Sequence, residues 1–226
     1  MVSTSNNTTT TTNTTNTNTA PQLVHSSNMS VFEQEFELPF LLHSKEYFSQ
    51  VSISWVDSHS SSGYLRRVDE ELEKEEQRAS TFLPSSTKEK LLSVVVEELL
   101  DTHQLKIIED EASGCGVLLM NDCKDDLRRM TALFSLIRRG DGLVPLADAF
   151  RRHVMVLGEG ILAEREGRLG REGERPTATS HEPTFIRSLL SLHDDMVLII
   201  EDVFLNKPVF RKALKDAFGM LTNKDV

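Results

Sequence analysis

The amino-acid sequence predicts an all-α fold, and two patterns support this expectation. From Val31 onward, glycine and proline are confined to a few short stretches that punctuate the chain. Between these stretches, apolar residues recur at helical spacing, which places them on one face. We expect about seven or eight amphipathic helices and no strand. Because each helix has one apolar stripe, it must pack on neighbours, either in a compact bundle or in an extended stack of helical bundles.

Residues 1–30 differ from the rest of the chain in composition. They are mostly Thr and Asn, with an unbroken Thr tract from Thr8 to Thr12. Such a segment cannot bury enough apolar surface to offset the entropy of ordering it, so we expect a disordered tail. Residues 31–226 then form the helical region, which is long enough for a sizeable core.

Two helices are predicted after the tail. The first runs from Phe32 to Val56 and is interrupted at Pro39. The second, from Tyr64 to Phe82, has the clearest periodicity, and we expect Glu70 and Lys74 to pair on its Glu-rich face. Its apolar stripe comprises Leu65, Val68, Leu72, Ala79 and Phe82.

Pro84 ends that helix, and the residues after it predict another. Ser86, with Glu89 three residues later, forms a capping-box pattern at its start. We expect this helix to end near His103, followed by a short segment from Leu105 to Glu111. Its stripe comprises Leu91, Leu92, Val95, Leu99 and Leu100.

A break at Gly114 and Gly116 precedes the next predicted helix. This helix starts near Asp122 and is closed by the Arg-Arg-Gly sequence that ends at Gly140, since cations and glycine favour a helix C-terminus. Its stripe comprises Leu127, Met130, Phe134 and Ile137.

Three further helices and one loop are predicted in the C-terminal part. The first helix runs from Leu143 to Ile161. Residues 164–182 are charged, rich in glycine and contain Pro176, which predicts an exposed loop. Helices resume at Pro183, a favourable first-turn residue. The last two stripes comprise Leu189, Leu192, Met196, Ile200 and Val203, then Phe210, Leu214, Ala217 and Phe218.

The charge and cysteine content bound the partners and the compartment. The net charge is −10, which disfavours nucleic acid and anionic membrane surfaces. The longest apolar runs, such as Met196 to Ile200, are too short to span a bilayer, and we expect no secretory signal. Cys115 and Cys123 are too few for a disulfide framework, so we expect free thiols in the cytoplasm or nucleus.

One arginine-rich stretch is a candidate nucleic-acid site. Seven acidic residues lie between positions 138 and 175, so its local net charge is about +1. Only one Phe, Tyr or Trp residue, Phe150, lies among the arginines for base stacking, and we expect no nucleic-acid binding. The arginines are Arg138, Arg139, Arg151, Arg152, Arg165, Arg168, Arg171 and Arg175.

The sequence predicts no catalytic, cofactor-binding or metal-binding residues. The seven histidines have no metal-ligand spacing, and a structural role is expected for His103 and His153. The pairs Asp125-Asp126 and Asp194-Asp195 were compared with the Asp-Asp-x-x-Asp motif of helical Mg²⁺ enzymes. Neither pair has an acid at the third position, so solvated helix surfaces are expected instead.

Four collinear stretches resemble the cullins, the scaffold subunits of multi-subunit ubiquitin ligases. FEQEFELPFL (Phe32 to Leu41) is similar to a family helix, and Tyr64 to Leu92 carries the family's Tyr-led, Glu-rich helix. Ser113 to Leu143 resembles the family's Ser-Gly, Asp-Leu-x-x-Met, Leu-Phe-Ser and Gly-Leu string. Ile186 to Lys224 contains LLSLHDDM and VFLNKPVFRKALKDAF. The resemblance covers roughly residues 31–226.

The chain departs from the family pattern at four places. Thr131 stands where the family usually has an aromatic residue, and Leu136 where an Arg is common. Gly140-Asp141 widens the Gly-Leu turn, and residues 164–182 fall at a variable site. These departures concern local packing more than the fold.

The resemblance implies part of an elongated stalk of stacked helical-bundle cullin repeats. We expect the chain to begin within the second repeat and to end in the third. In the family, the adaptor docks at the first repeat, and the RING protein and the neddylated lysine belong to a C-terminal domain. Neither docking region matches this chain. The nearest class uses Skp-type adaptors and F-box receptors.

The predicted function is therefore a non-catalytic structural scaffold segment of a cullin-RING ubiquitin ligase, which acts in ubiquitin-dependent protein degradation. It would hold the substrate-receptor and RING ends apart. The alternative is a truncated cullin-like regulator, or a non-functional fragment, that binds stalk-gripping partners such as the family's exchange factor. A small helical enzyme is the third hypothesis, and no catalytic constellation supports it.

Overall fold

A computed structural model of the protein describes residues 30–138, 140–171 and 182–223. Within these ranges the chain forms nine α-helices and two π-helical turns, and it contains no strand, which confirms the all-α prediction. The tail predicted for residues 1–30 lies outside the described residues, apart from Ser30. The α-helices are α1 Leu38–Ser58, α2 Ser61–Phe82, α3 Ser85–Val96, α4 Gln104–Ile108, α5 Cys115–Met120, α6 Lys124–Phe134, α7 Val144–Arg171, α8 Glu182–Asp202 and α9 Pro208–Asn223. The π-helical turns are π1 Glu33–Glu37 and π2 Glu97–Asp101.

The first helix changes its winding at the predicted interruption. Turn π1 continues directly into α1, and Pro39 lies in the first turn of α1. Ser30 and Glu33 cap the start reciprocally: the Ser30 N–H donates to the Glu33 carboxylate at 2.7 Å, and the Glu33 N–H donates to the Ser30 hydroxyl at 3.2 Å. This is a capping box that the sequence pattern also contains.

Three local predictions around α2 and α3 are wrong. Helix α3 begins at Ser85 without a side-chain cap, because extended Pro84 precedes the first turn and its carbonyl accepts the first backbone bond, so Ser86 is not the cap. Lys74 pairs with Glu71 at 3.5 Å instead of with Glu70. Phe82 ends α2 with 78% of its surface exposed, because the chain turns away there.

The central helices are shorter than predicted. Gly114 precedes α5, but Gly116 lies inside it. Helix α6 ends at Phe134, although the predicted stripe continues to Ile137, which stays buried in the turn beyond the helix. The periodic stripe marks burial correctly and overestimates the helix length, since a turn can also bury an apolar side chain.

The prediction of a loop over residues 164–182 is wrong for residues 164–171. Helix α7 continues to Arg171, and Arg165 lies over the Phe185 ring of α8, 4.7 Å from its centroid. Charged residues with scattered glycines lower helix propensity by only about 1 kcal/mol per glycine, which tertiary contacts offset. The remainder of that segment, residues 172–181, lies outside the described residues.

One continuous hydrophobic core links the helices. Helix α1 packs on α2, α3 and π2; α6 packs on α2 and α5; and α7 packs on α4, α5, α8 and α9. The buried cluster runs without a break from Phe48 in α1 to Ala217 in α9. None of the described helices is long and apolar enough to cross a membrane.

Candidate interaction surface

The two histidines singled out from the sequence lie in structural settings. The His103 ring nitrogen Nε2 lies 2.9 Å from the Ser52 hydroxyl, and its ring edge faces the Tyr64 ring. Burial, reinforced by the Lys106 charge, lowers the pKa of His103 below its ordinary value. Burial also lowers the pKa of His153. Both rings are therefore mostly neutral near pH 7.

Cys115 and Cys123 are both free thiols, as predicted. Cys115 is fully buried, and burial raises the pKa of its thiol to about 12, which suppresses the reactive thiolate. Over the part of the chain that the structure describes, no group of three or more His, Cys, Asp or Glu residues could hold a metal ion.

The acidic pairs lie on helix surfaces, as expected from the sequence. Asp125 and Asp126 lie in the first turn of α6, where they complement the helix dipole. Asp125 pairs with Arg128 at 2.7 Å, and Asp126 pairs with Arg129 at 3.0 Å. Asp194 and Asp195 are exposed on α8.

Two arginines of the arginine-rich stretch have acidic partners. Arg151 lies 3.5 Å from Asp148, and Arg152 lies 3.1 Å from Glu109. Neither guanidinium therefore adds uncompensated positive charge to the surface. The side chains of Arg168, Arg171 and Arg175, and all of Arg139, lie outside the described residues.

Residues of the motifs that resemble the cullins hold the turns and the π-helical segment π2 in place. The Tyr64 hydroxyl is buried and donates to the Leu99 carbonyl at 2.5 Å. Leu99 lies in π2, at the end of a helical segment, where carbonyls lack partners within the helix. Burial raises the pKa of Tyr64, so its O–H remains a donor. The Tyr that opens the Glu-rich motif is thus a structural cap for a neighbouring helix.

Position 114, in the Ser-Gly motif, requires glycine because neighbouring backbone lies too close for a side chain. A Cβ at this position would lie 2.5 Å from the Ile108 carbonyl oxygen and 2.6 Å from that of Asp110. The neighbouring Ser113 hydroxyl accepts from the Ser61 N–H at 2.8 Å, which joins this loop to the start of α2.

Gly142, in the Gly-Leu motif, is restricted in the same way. A Cβ there would overlap the Phe134 carbonyl oxygen and the Ile137 side chain. The Gln104 side-chain amide donates to the Gly142 carbonyl at 2.6 Å, a buried bond that fixes the start of α7 against α4.

The departures from the family pattern are accommodated locally. Thr131 is fully buried, and its hydroxyl donates to the Leu127 carbonyl at 2.8 Å within α6, so no polar atom is left unpaired. Gly140 takes a left-handed conformation with φ of +76° in the widened turn. Leu136 is 46% exposed and lines the groove described next.

A groove of about 700 Å³ opens between α2, the α3–π2 segment and the end of α6. Helices α2 and α3 are joined by only two residues and pack together, which makes them antiparallel neighbours. The apolar residues of the groove are Leu72, Leu92, Val96, Leu133, Leu136 and Ile137. This groove is the candidate interaction surface.

The rim of the groove is acidic. Its charged residues include one base, Arg138, and the acids Asp69, Glu73, Glu76, Glu89, Glu97 and Asp101. The sequence predicts the Glu-rich face of α2 but not the groove. This face was the available signal, but α3 and α6, which complete the groove, are positioned by tertiary packing.

Large apolar side chains are also exposed at the start of the described chain and on α8. At the start these are Val31, Phe32, Phe36, Leu38 and Leu42. The rings of Phe32, Phe36 and Phe40 follow one another at 5.2 and 5.5 Å. Helix α8 exposes Ile186, Leu190 and Leu198. Contiguous exposed apolar surface of this kind marks faces that pack against other protein.

Packed helices and one continuous core define this chain as an all-α protein. Comparison with known proteins gives the same class: the cullin alpha solenoid domain matches residues 4–226. The chain therefore belongs to the cullin family.

Three relatives illustrate the similarity. Cullin-2 of Arabidopsis thaliana is 34% identical over 196 residues, which cover 86% of this chain and 26% of that protein. Cullin-1 of Oryza sativa subsp. japonica is 37% identical over 157 residues, covering 69% and 21%. Cullin-3A of Arabidopsis thaliana is 30% identical over 195 residues, covering 86% and 25%. The chain spans about a quarter of the length of the curated relatives it matches.

Proposed function

We propose that the chain is a non-catalytic scaffold segment of a cullin-RING ubiquitin ligase in the cytoplasm or nucleus. It would keep the substrate-receptor end and the RING end at a fixed separation during ubiquitin-dependent protein degradation. Family membership supports this role. A Skp-type adaptor with F-box receptors remains the predicted class, and the similarity to Cullin-1, Cullin-2 and Cullin-3A does not select among adaptor classes.

The continuous core is the observation that carries the proposal. A spacer works only if its ends do not move relative to each other, and a single buried cluster from Phe48 to Ala217 leaves no unpacked boundary for a hinge. The apolar faces at the start of α1 and on α8 suit a unit that packs between neighbouring repeats. The proposed domain arrangement is a tail over residues 1–30 and a partial cullin-repeat region over 31–226.

A distance measurement between two spin labels tests the rigidity. Labels at Ser54 in α1 and Lys212 in α9, both exposed, are introduced as cysteines in a Cys123→Ser background. Cys115 stays in place because its burial keeps it unreactive. We expect one narrow distance distribution by pulsed electron spin resonance. A broad or two-peaked distribution would contradict a rigid spacer.

Co-purification separates the scaffold from the alternative regulator. The tagged full chain is co-expressed with a Skp-type adaptor, a RING subunit and a cullin exchange factor. Recovery of the adaptor and the RING subunit together would contradict the truncated regulator. Recovery of the exchange factor alone would favour it.

A further inference from the structure

We propose that the acidic groove between α2 and α3 is a docking site for an amphipathic helix with a basic polar face, contributed by a partner protein. The proposal concerns this groove alone and does not depend on the scaffold role. It rests on the shape of the groove, its apolar floor and the charges of its rim, taken in turn.

The groove has the shape of a trough for a third helix. Helix α2 contributes positions 69, 72, 73 and 76, and the opposite wall contributes positions 89, 92, 93, 96 and 97. Both sets have the spacing of residues on one helix face, so the walls are two parallel ridges. The wall from Glu89 to Asp101 is about 18 Å long at 1.5 Å per residue, which accommodates about three turns of an occupant.

The floor offers apolar surface for the occupant to cover. Leu72, Leu92 and Val96 are only partly buried, and Leu136 is 46% exposed at one end. A helix in such a groove is anchored by apolar side chains at positions i, i+3 or i+4, and i+7. The occupant therefore needs one aliphatic row.

The rim selects the charge of the occupant. Three rim acids already have basic partners: Asp69 pairs with Arg129, Glu76 with Lys88, and Glu97 with Lys45.

The other three rim acids, Glu73, Glu89 and Asp101, form no ion pair within the described part of the chain. Their carboxylates lie on both walls, so Lys or Arg on either flank of an aliphatic row would find a partner. Among the residues that the structure describes, Arg138 is the one base on the rim, and it lies at the α6 end, so the basic residues of the occupant belong away from that end.

The same charges argue against two other occupants. Nucleic acid is repelled by the acidic rim. A second copy of this chain carries a net charge of −10, which gives a poor electrostatic match for an acidic groove.

A designed peptide is the probe. It has about 15 residues, with leucines at i, i+4, i+7 and i+11 and lysines or arginines on the flanks, and it carries a fluorophore. Its binding to the full chain is followed by fluorescence anisotropy. Two control peptides have the same length: one replaces the basic residues by Glu, and the other scrambles the order to destroy the apolar row. We expect binding of the basic amphipathic peptide only, weakening as salt is added.

Paired variants locate the site. Glu73→Lys with Glu89→Lys reverses two unpaired rim charges, and Glu46→Lys with Glu70→Lys makes the same change at two exposed glutamates outside the groove. All four side chains are exposed, so folding is retained. We expect the groove variant to weaken binding at least tenfold more than its control, since each lost pair becomes a like-charge contact.

The floor is tested separately. Leu136→Ala is expected to weaken binding about fivefold, because part of the apolar contact is lost. Leu105→Ala, at a leucine that is 59% exposed outside the groove, is expected to leave binding unchanged.

Three results would overturn the proposal. The first is equal binding of the basic and the acidic peptides, and the second is equal affinity of the rim variant and its control. The third comes from sedimentation: a dimer of the free chain that Glu73→Lys with Glu89→Lys dissociates would make a second copy the occupant.

Discussion

The first four helices and the last three are held together by different kinds of contact. Between α1 and α4, buried hydrogen bonds join one element to the next: the Tyr64 hydroxyl bonds the Leu99 carbonyl, and the Ser61 hydroxyl bonds the Ile107 carbonyl at 2.9 Å. Between α7 and α9, aromatic rings pack across the elements within the apolar core. Phe204 stacks on Phe210 at 4.0 Å between ring centroids, and Phe150 meets Phe204 edge-on at 5.3 Å.

The most polar of these ties also lies in the first region. Glu37 is buried, accepts from the Thr87 hydroxyl at 2.7 Å and pairs with the Lys90 ammonium at 2.7 Å. Its bonds to Lys90 and Thr87 hold the pKa of the Glu37 carboxyl below its usual range, although burial opposes them.

The difference follows from interruptions of the helical backbone and not from helix length, because α1 and α2, with 21 and 22 residues, are as long as α8 with 21. The first region contains two π-helical turns and the five-residue helix α4, and each interruption leaves backbone groups that need a specific partner. The described residues of α7, α8 and α9 contain no π-helical turn, so these helices need fewer such partners. Specific polar bonds are therefore concentrated where the backbone is interrupted, and mutations should act differently in the two regions.

The largest expected effect is in the aromatic cluster. Phe210→Ala removes a fully buried ring and should lower the free energy of unfolding by about 3–5 kcal/mol in urea denaturation. Leu198→Ala, at a residue 62% exposed on α8, should change it by less than about 0.5 kcal/mol. Similar losses for both variants would show that the ring cluster does not dominate the packing of α7 to α9.

Two neighbouring glycines at the junction that follows the first region provide the next test. Gly114→Ala should destabilise the fold by about 1–3 kcal/mol, because its Cβ would strike two carbonyl oxygens. Gly116→Ala is two residues away, inside α5 with open space around it, and should stabilise by about 0.5–1 kcal/mol through helix propensity. Thermal unfolding of both variants checks the opposite signs; equal signs would refute the close approach at Gly114.

A smaller loss of stability is expected when the hydrogen bond from Tyr64 to the Leu99 carbonyl is removed. Tyr64→Phe keeps the ring and removes the hydroxyl, leaving the buried Leu99 carbonyl without this donor, and should cost about 1–2 kcal/mol. Hydrogen exchange around π2 should accelerate more than in α9. Uniform acceleration would mean that the bond does not stabilise π2 specifically.

The smallest effect should be the pH dependence at His103. Its pKa is lowered in the folded chain by burial and by Lys106, so the unfolded chain binds the proton first as the pH falls. Stability from this group is fully present above about pH 7 and is lost as the pH drops below the unfolded value of about 6.5 and through the depressed folded pKa. His103→Gln should reduce the fall in melting temperature between about pH 7 and 5. An unchanged pH dependence of the melting temperature would contradict this role.

Periodicity predicted the buried stripes because burial on a helix repeats along the sequence. Leu65, Val68 and Met130 are fully buried, as expected, and Leu72 is only half-buried because it lines the groove. The partners of the polar ties could not be predicted in this way. Tyr64 and Leu99 are 35 residues apart, and only the packing of α2 on π2 brings them together.

The groove was hidden for the same reason. The α2 acids are visible in the sequence, but Leu92 and Leu136 come from two other elements. Leu136 lies beyond the end of α6, because this helix ends earlier than its apolar stripe predicted. The predicted cap at Ser86 is wrong for a more local reason. Helix α3 begins directly after Pro84, so the capping-box pattern of Ser86 is not used.

The turn between α6 and α7 offers a practical place to attach a reporter. Gly140 is exposed, and a Cβ there would meet nothing within 4 Å, whereas two residues later the Gly142 carbonyl is clamped by Gln104. Extra residues inserted between Gly140 and Asp141 would extend outward, upstream of the clamp that seats α7. A short epitope or fluorogenic tag spliced there would follow this protein in cells with both chain termini left unmodified.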